Sequence, residues 1–367
     1  MGPRIAHVIS TRGMGGAERF LAGLVAHGEA HGWTQVVLNP FATEAADDLA
    51  ALCRPVAVEG RRCDRLRDLP STRRWLGRQL RGFEPDVVHI VLFQALVVMG
   101  TVPKAPGTRR VVTNVFGDWV RTAPRGRWIR LADRWAGGRA DHVAAISESV
   151  RDFLVSDYGY PPAKVTCIPL GWEGTPQPRR TGARPPTVVC VGGLRPEKGY
   201  DVLLSALSLV REDVPAVRLV VVGEGALRPS LEAQVAADGL GDTVEFLGSV
   251  PDIWPHLADA DVFAIASRSE AFGIAIAEAM AAGLPVVAPD VGAVRELVRP
   301  GETGQTFPAG DPAALAAELV RLLRSPDLCA RMGAAARETA GVLRMDRAVE
   351  RYFALFHDLY SRARADA

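Results

Sequence analysis

Residues 262–288 read VFAIASRSEAFGIAIAEAMAAGLPVVA, and this stretch decides the fold. Val262–Ala266 is an apolar run of strand type. From Gly273 onward alanine and isoleucine dominate, which suits a buried helix, and Gly283-Leu284 ends it before a second apolar strand at Pro285–Ala288. Strand, helix and strand in one apolar block make a βαβ unit whose sheet is covered on both faces. Two carboxylates punctuate it. Glu270 stands just before the helix, and Glu278 lies about a turn and a half inside it, among residues of buried type. A carboxylate there needs a hydroxyl or cation as partner, because an unpaired buried charge is costly. The helix start at Ala271, Phe272, Gly273 and Ile274 offers backbone N–H donors to an anion.

Working outward, the same alternation fills the chain. Strand candidates in the first half are Ile5–Ile9, Gln35–Leu38, Pro55–Val58, Asp86–Ile90, Arg110–Val115, His142–Ala145 and Lys164–Ile168. In the second half they are Thr187–Val191, Arg218–Val222, Thr243–Phe246, Val262–Ala266 and Pro285–Ala288. Helical patterns separate most of them, so the fold class is α/β with parallel sheets. The alternation weakens over residues 169–187, PLGWEGTPQPRRTGARPPT, where each proline fixes φ and no ladder can run. This predicts a boundary between two Rossmann-like domains, residues 1–172 and 173–345. A last helix over residues 346–367 is expected to pack back on the first domain.

Composition narrows the function. With 367 residues, 48% hydrophobic and 23% charged, the chain suits a two-domain globular protein and excludes wholesale disorder. No apolar run reaches the roughly 18 residues of a membrane span. Residues 1–20 read as strand, glycine turn and helix start without a leader, so a cytoplasmic location is expected. Five cysteines without a CxxC pair argue against a disulfide framework or a zinc site. The net charge of +1 conceals an asymmetry: residues 1–172 carry 23 Lys+Arg against 16 Asp+Glu, and the remainder 20 against 26. The excess gathers in residues 61–81 and 119–139, where arginines interleave with Trp75, Trp119, Trp128 and Trp135. Such segments suit an anionic membrane surface, or a solvated helix face in an arginine-biased chain. Nucleic acid is not an expected partner.

Two glycine turns sit where strands run into helices. Gly15 and Gly16 follow the first strand, and either bring backbone close to a ligand or make a tight turn alone. Gly192-Gly193-Leu194-Arg195-Pro196-Glu197-Lys198-Gly199 opens the second half. Arg195 and Lys198, in a glycine-bounded loop at a strand's C-terminal end, suit a diphosphate. Only Lys104, Lys164 and Lys198 are lysine among 43 basic residues, which makes Lys198 conspicuous. Two further features read as structural. Asp259-Ala260-Asp261 resembles a metal-binding DxD string but precedes a buried strand, where turn and cap chemistry is expected. His89 could line a cleft, or be a satisfied histidine at a sheet edge, the reading preferred here.

The residues resemble retaining family-4 glycosyltransferases of the GT-B fold. The segment EAFGIAIAE, residues 270–278, matches that family's E-x7-E motif. Gly15–Arg19 (GGAER), Ile146–Val150 (ISESV), Lys164–Gly171 (KVTCIPLG), Gly192–Gly199 and Val291–Glu296 (VGAVRE) extend the resemblance over essentially the whole chain. It implies two Rossmann-like domains facing each other across a cleft, an N-terminal acceptor domain and a C-terminal nucleotide-sugar domain. It implies transfer of a sugar, hexose-type, from a nucleoside diphosphate, UDP or GDP foremost, to a hydroxyl of a saccharide, lipid-linked or natural-product acceptor. No cofactor or metal is implied. Lys198 and Arg195 would neutralise the diphosphate with the helix start at Ala271–Ile274, Glu270 would hold donor-sugar hydroxyls, and Glu278 would take the ribose. Gly15 and Gly16 would approach the donor. Three departures stand out. Gly193 replaces the family's arginine, for which Arg195 can substitute; Phe116 replaces a histidine; and Trp172-Glu173 replaces Val-Asp. Without that histidine the leaving phosphate oxygen can take the acceptor's proton, and Asp118 is the nearest group to orient the acceptor. The rivals are a nucleotide-sugar epimerase and a non-catalytic nucleotide-sugar-binding subunit.

Overall fold

The computed structural model describes residues 2–10, 16–28, 30–41, 46–54, 56–61, 68–114, 126–179 and 184–365. Two compact units result: residues 1–171 with 345–367, and residues 172–344. Trp172 therefore falls in the second unit, one residue earlier than the boundary read from the text. Its backbone N–H donates to Leu343 O (2.9 Å) and its Nε1 to Ala340 O (2.8 Å), and its ring meets Trp254 edge-on.

The first unit is built on a seven-stranded parallel sheet of order β3-β2-β1-β4-β5-β6-β7. Its strands are β1 (Arg4–Ile9), β2 (Thr34–Asn39), β3 (Val58–Gly60), β4 (Val87–Val91), β5 (Arg109–Asn114), β6 (His142–Ala145) and β7 (Val165–Cys167). Its helices are α1 (Gly16–Gly28), α2 (Ala46–Leu52), α3 (Leu69–Phe83), α4 (Phe93–Thr101), α5 (Gly126–Gly137) and α6 (Glu148–Ser156). Third in the text, the strand expected at Pro55–Val58 lies instead at Val58–Gly60, in register with Val37–Asn39. Val37 N–H donates to Ala57 O at 3.0 Å and the ladder runs from there to Asn39↔Gly60, while Pro55 lies outside the described residues. Ile9, Val37 and Val91 from the sheet close against Leu21, Val25 and Leu49 from α1 and α2 as a fully buried cluster.

The second unit has a six-stranded parallel sheet of order β10-β9-β8-β11-β12-β13. Its strands are β8 (Thr187–Val191), β9 (Arg218–Val222), β10 (Val244–Gly248), β11 (Val262–Ala264), β12 (Val286–Pro289) and β13 (Gly304–Phe307). Helices α7 (Tyr200–Asp213), α8 (Arg228–Ala237), α9 (Trp254–Ala258), α10 (Ile274–Ala281), α11 (Val294–Leu297), α12 (Pro312–Leu323) and α13 (Pro326–Ala340) complete it. The edge strand β13, GQTF, has no apolar alternation and was not among the expected strands. It pairs with β12 from Val286↔Gly304 to Pro289↔Phe307 because Gly304 lets the backbones close: a Cβ there would sit 2.0 Å from Val286 O. The last helix, α14 (Met345–Ala365), belongs to the first unit.

Candidate active site

Each sheet reverses its strand order once, between β8 and β11 in the second unit and between β1 and β4 in the first. In open parallel sheets a ligand site forms outside the carboxyl ends of the strands at this reversal. In the second unit, β8 and β11 pair directly, Val262↔Val188 and Phe263↔Val189. The two segments singled out in the sequence, residues 192–199 and 265–274, are the loops that leave these two strands. The topology brings them together although about seventy residues of chain separate them.

The contact is chemical as well as spatial. Lys198 Nζ donates to Glu270 Oε1, and Ser267 Oγ donates to the same oxygen at 3.2 Å. Glu270 is 9% exposed, so it sits desolvated between a cation and a hydroxyl, as a buried carboxylate requires. Its backbone is fixed too, Ala293 N–H donating to Glu270 O at 3.0 Å. Gly199 explains how the loops come so close. Its φ of +63° is in the left-handed region, and a Cβ there would stand 2.0 Å from Ala266 O.

Arg268 ties the two loops and was not singled out in the sequence. Its backbone N–H donates to Glu197 O (2.8 Å), Nη1 to Pro196 O (2.6 Å) and Nη2 to Asp201 Oδ2 (2.6 Å). Nothing in a single sequence separates such an arginine from a solvated one. Tyr200, also unannounced, donates its hydroxyl to Gly192 O at 2.7 Å and anchors the glycine loop to α7. Beneath it Cys190 is fully buried and its thiol is pushed up to about 12, so it is a core residue and no nucleophile.

Helix α10 begins at Ile274 behind Gly273 (φ +91°), and no side chain caps it. Phe272 is buried, whereas Ala271, Gly273 and Ile274 are half-buried, and the helix starts in the loop that leaves β11, the same loop that carries Glu270. Glu278 is 8% exposed within α10. Arg195 stands apart: its side chain is 62% exposed and its Nε meets the neighbouring Glu197 at 3.0 Å, a weak surface pair. Asp261 of the DxD string is held by Arg184 (2.6 Å), Arg179 (3.3 Å) and Thr187 N–H (2.8 Å), a strand-end clamp that occupies both its oxygens.

In the first unit, Gly16 opens α1 and is exposed; Gly15, Phe116 and Asp118 lie outside the described residues. At the β1/β4 reversal Ser10 Oγ donates to Gln94 Oε1 (3.2 Å), beside Leu92, whose φ of +72° is strained for a leucine. His89 is not at a sheet edge. It lies on central β4, fully buried, because its side chain finds partners inside: His7 Nδ1 at 2.9 Å and Thr113 Oγ1 at 2.7 Å, with Thr113 donating on to Tyr352. Burial holds His7 down to about 4 and His89 well below the usual range, so both are neutral at physiological pH.

Two family models match the chain: "Glycosyl transferases group 1" over residues 163–339 and "Glycosyltransferase Family 4" over residues 14–173. The GDP-mannose-dependent alpha-(1-6)-phosphatidylinositol monomannoside mannosyltransferase of Mycolicibacterium smegmatis is 33% identical over 265 residues, 67% of this chain and 69% of that protein. The D-inositol 3-phosphate glycosyltransferase of Thermomonospora curvata is 31% identical over 355 residues, 88% of this chain and 79% of the relative. Sucrose-phosphate synthase from Thermosynechococcus elongatus superimposes with a TM-score of 0.83 at 22% identity, covering 98% of this chain and all of that one. Anabaena HepE, solved with UDP and glucose, gives 0.83 at 22%, covering 97% of this chain. These structural likenesses concern the fold.

Proposed function

This chain belongs to the group 1 and family 4 glycosyltransferases of the GT-B fold, and from that premise we propose that it transfers a sugar from a nucleoside diphosphate to a hydroxyl acceptor, retaining the anomeric configuration and using no metal ion. One observation carries the site assignment: Lys198, Glu270 and the uncapped start of α10 share the strand-end reversal of the second unit. A lysine and a helix N-terminus supply positive potential for a diphosphate without a cation. In this reading Lys198 turns from Glu270 to phosphate, and Arg195 swings in from the exposed loop. Glu270 then accepts donor-sugar hydroxyls, and Glu278 accepts those of the ribose. The anomeric carbon's bond to the leaving phosphate oxygen breaks as its bond to the acceptor oxygen forms on the same face. The acceptor's proton passes to the departing phosphate, with Asp118 orienting the acceptor.

The curated relatives' names and the nucleotide bound to HepE favour GDP or UDP as the carrier, and a saccharide or lipid-linked acceptor. A lipid-linked acceptor fits the first unit's surface. Helix α5 exposes Trp128, Leu131 and Trp135 along one stripe with Arg127, Arg130 and Arg134, and α3 exposes Arg73, Arg74, Arg78 and Arg81. Amphipathic basic faces of this kind suit peripheral contact with an anionic leaflet. Thermal unfolding with UDP, GDP, ADP and TDP, each with and without EDTA, tests the donor assignment. One or two nucleotides should raise Tm equally in both conditions. No shift with any of them would sink the site assignment, and a shift abolished by EDTA and restored by manganese would sink its metal independence.

A further inference from the structure

Lys198 stands at the end of a very short element. Pro196–Lys198 form a single 3-10 turn, closed by Lys198 N–H to Arg195 O at 3.0 Å and, weakly, by Gly199 N–H to Pro196 O at 3.4 Å. Such a turn has poor hydrogen-bond geometry and does little to hold itself in place. Glycines flank the loop on both sides, Gly192 and Gly193 before and Gly199 after, and glycine gives up more backbone freedom on ordering than any other residue. A cation that is to meet a diphosphate needs a fixed base, because ordering its loop at the moment of binding subtracts from affinity.

The ends of the loop are tied to the scaffold, Leu194 N–H to Glu224 O at 2.9 Å and the Tyr200 hydroxyl to Gly192 O at 2.7 Å. Arg268 grips the turn itself. Its backbone N–H takes Glu197 O and its Nη1 takes Pro196 O, while Nη2 reaches Asp201 in the first turn of α7. That contact holds the Asp201 carboxyl below its usual range, so it is charged at neutral pH. Arg268 also lies two residues before Glu270, next to the Ser267 that donates to Glu270 Oε1. One arginine thus joins the loop of the lysine to the loop of the carboxylate. Its side chain is 47% exposed and that of Asp201 55%, so as an ion pair the contact adds little to global stability. What it supplies is geometry: a planar fork meets a carbonyl and a carboxylate at once, which the point charge of a lysine does not.

We propose that Arg268 is a positioning residue of the donor site: it clamps the 196–198 turn to the Glu270 loop, so that Lys198 passes from Glu270 to the diphosphate by rotating its side chain on a fixed backbone. The inference rests on the donor-site reading given above, and in it Arg268 acts through Lys198 and not on the nucleotide directly. Titration calorimetry of UDP and GDP on the full chain tests it with Arg268→Met, Arg268→Lys, Lys198→Ala and the Arg268→Met/Lys198→Ala double variant. Arg268→Met should weaken binding of the nucleotide that wild type takes by about tenfold, on the order of one charge-assisted contact, with little change in melting temperature. In the Lys198→Ala background the same substitution should cost less than about twofold, because a clamp has no further effect once the group it aims is gone. Arg268→Lys should fall between, since an ammonium satisfies one of the two acceptors. Wild-type affinity in Arg268→Met would overturn the proposal, and so would losses that multiply in the double variant, which would place the arginine's action elsewhere. Should Arg268→Met not fold, Asp201→Asn, which keeps an acceptor oxygen and drops the charge, enters the same cycle, and a smaller loss that vanishes with Lys198→Ala is expected. A melting temperature lowered in step with affinity in both would make Arg268 structural and also overturn it. If Lys198→Ala alone binds nucleotide as wild type does, the donor-site reading is what fails, and the positioning role falls with it.

Discussion

Lys198 meets a carboxylate where a diphosphate is proposed to bind, so nucleotide binding exchanges one anionic partner for another. Lys198→Ala should weaken nucleoside diphosphate affinity by about tenfold to 150-fold, the roughly 1.5–3 kcal/mol of one charge-assisted contact. Glu270→Gln should lower turnover more than it lowers that affinity, and calorimetry beside initial-rate assays separates the two. If free nucleotide bound Glu270→Gln far more weakly, the division of labour between the two residues would be wrong. Asp133 on α5 offers a test of a different kind. It is fully buried, Tyr160 donates to its Oδ1 at 2.7 Å, its Oδ2 has no partner, and burial pushes its carboxyl up to about 6 from 3.8. The folded state thus holds a proton that the unfolded chain has released, and this residue's stabilising contribution falls as pH rises from about 4 through 6. The loss is about 3 kcal/mol at most. Asp133→Asn should therefore gain on wild type in urea midpoint between pH 5 and pH 8; a difference independent of pH would contradict the buried-acid account.

At the scale of elements, α14 completes the first unit from a distance in sequence. Its buried positions, Ala348, Val349, Tyr352, Phe353, Phe356 and Leu359, recur at helical spacing and face the sheet's aromatic and histidine cluster. Trp33 Nε1 donates to His357 Nε2 (3.0 Å), Arg351 Nη2 to Cys167 O (2.6 Å), and His31 stacks on Phe353 at 4.5 Å. Phe356 is fully buried between His89, Tyr352 and Phe353, so Phe356→Ala leaves a cavity that such a fixed ring of neighbours cannot close. It should cost about 3–5 kcal/mol, read as a lower denaturant midpoint at unchanged slope. A cost below about 1 kcal/mol would mean that α14 is an appendage and not part of the core.

For the whole molecule the charge asymmetry matters most. Residues 1–172 carry seven more basic than acidic side chains, and the exposed Trp128, Leu131 and Trp135 stand among them. Attraction of roughly 1 kcal/mol per basic residue near an anionic surface suffices for reversible docking, and salt should weaken it. The chain should therefore sediment with phosphatidylserine-containing vesicles at low salt, less so at high salt, and not with neutral ones. Trp128→Ser with Trp135→Ser should reduce binding at every salt concentration, because their contribution is apolar. Absence of sedimentation at low salt would leave a water-soluble acceptor as the reading.

Much of the architecture was legible because buried parallel strands leave runs of β-branched residues, and the described strands other than β3 and β13 announce themselves in this way. The glycine-bounded loop with Lys198 and the helix start between Glu270 and Glu278 were legible as local chemistry, since turn glycines and uncapped helix starts depend on neighbouring residues alone. The polar edge strand β13 was not legible, because its place depends on a neighbour's carbonyl that only Gly304 can approach. Nor were the roles of Arg268 and Tyr200, which act on backbone atoms brought near by strand order. His89 illustrates the same limit. A histidine on a strand can face solvent or core, and what decided was a second histidine 82 residues away and a tyrosine from the last helix. The sequence by itself determined which segments become the buried strands and the helices beside them, and which loops carry charge, because those depend on contacts within a few residues. Only the tertiary structure decided that β8 pairs with β11, and hence that Lys198 meets Glu270, because strand order is set by packing both faces of a sheet at once.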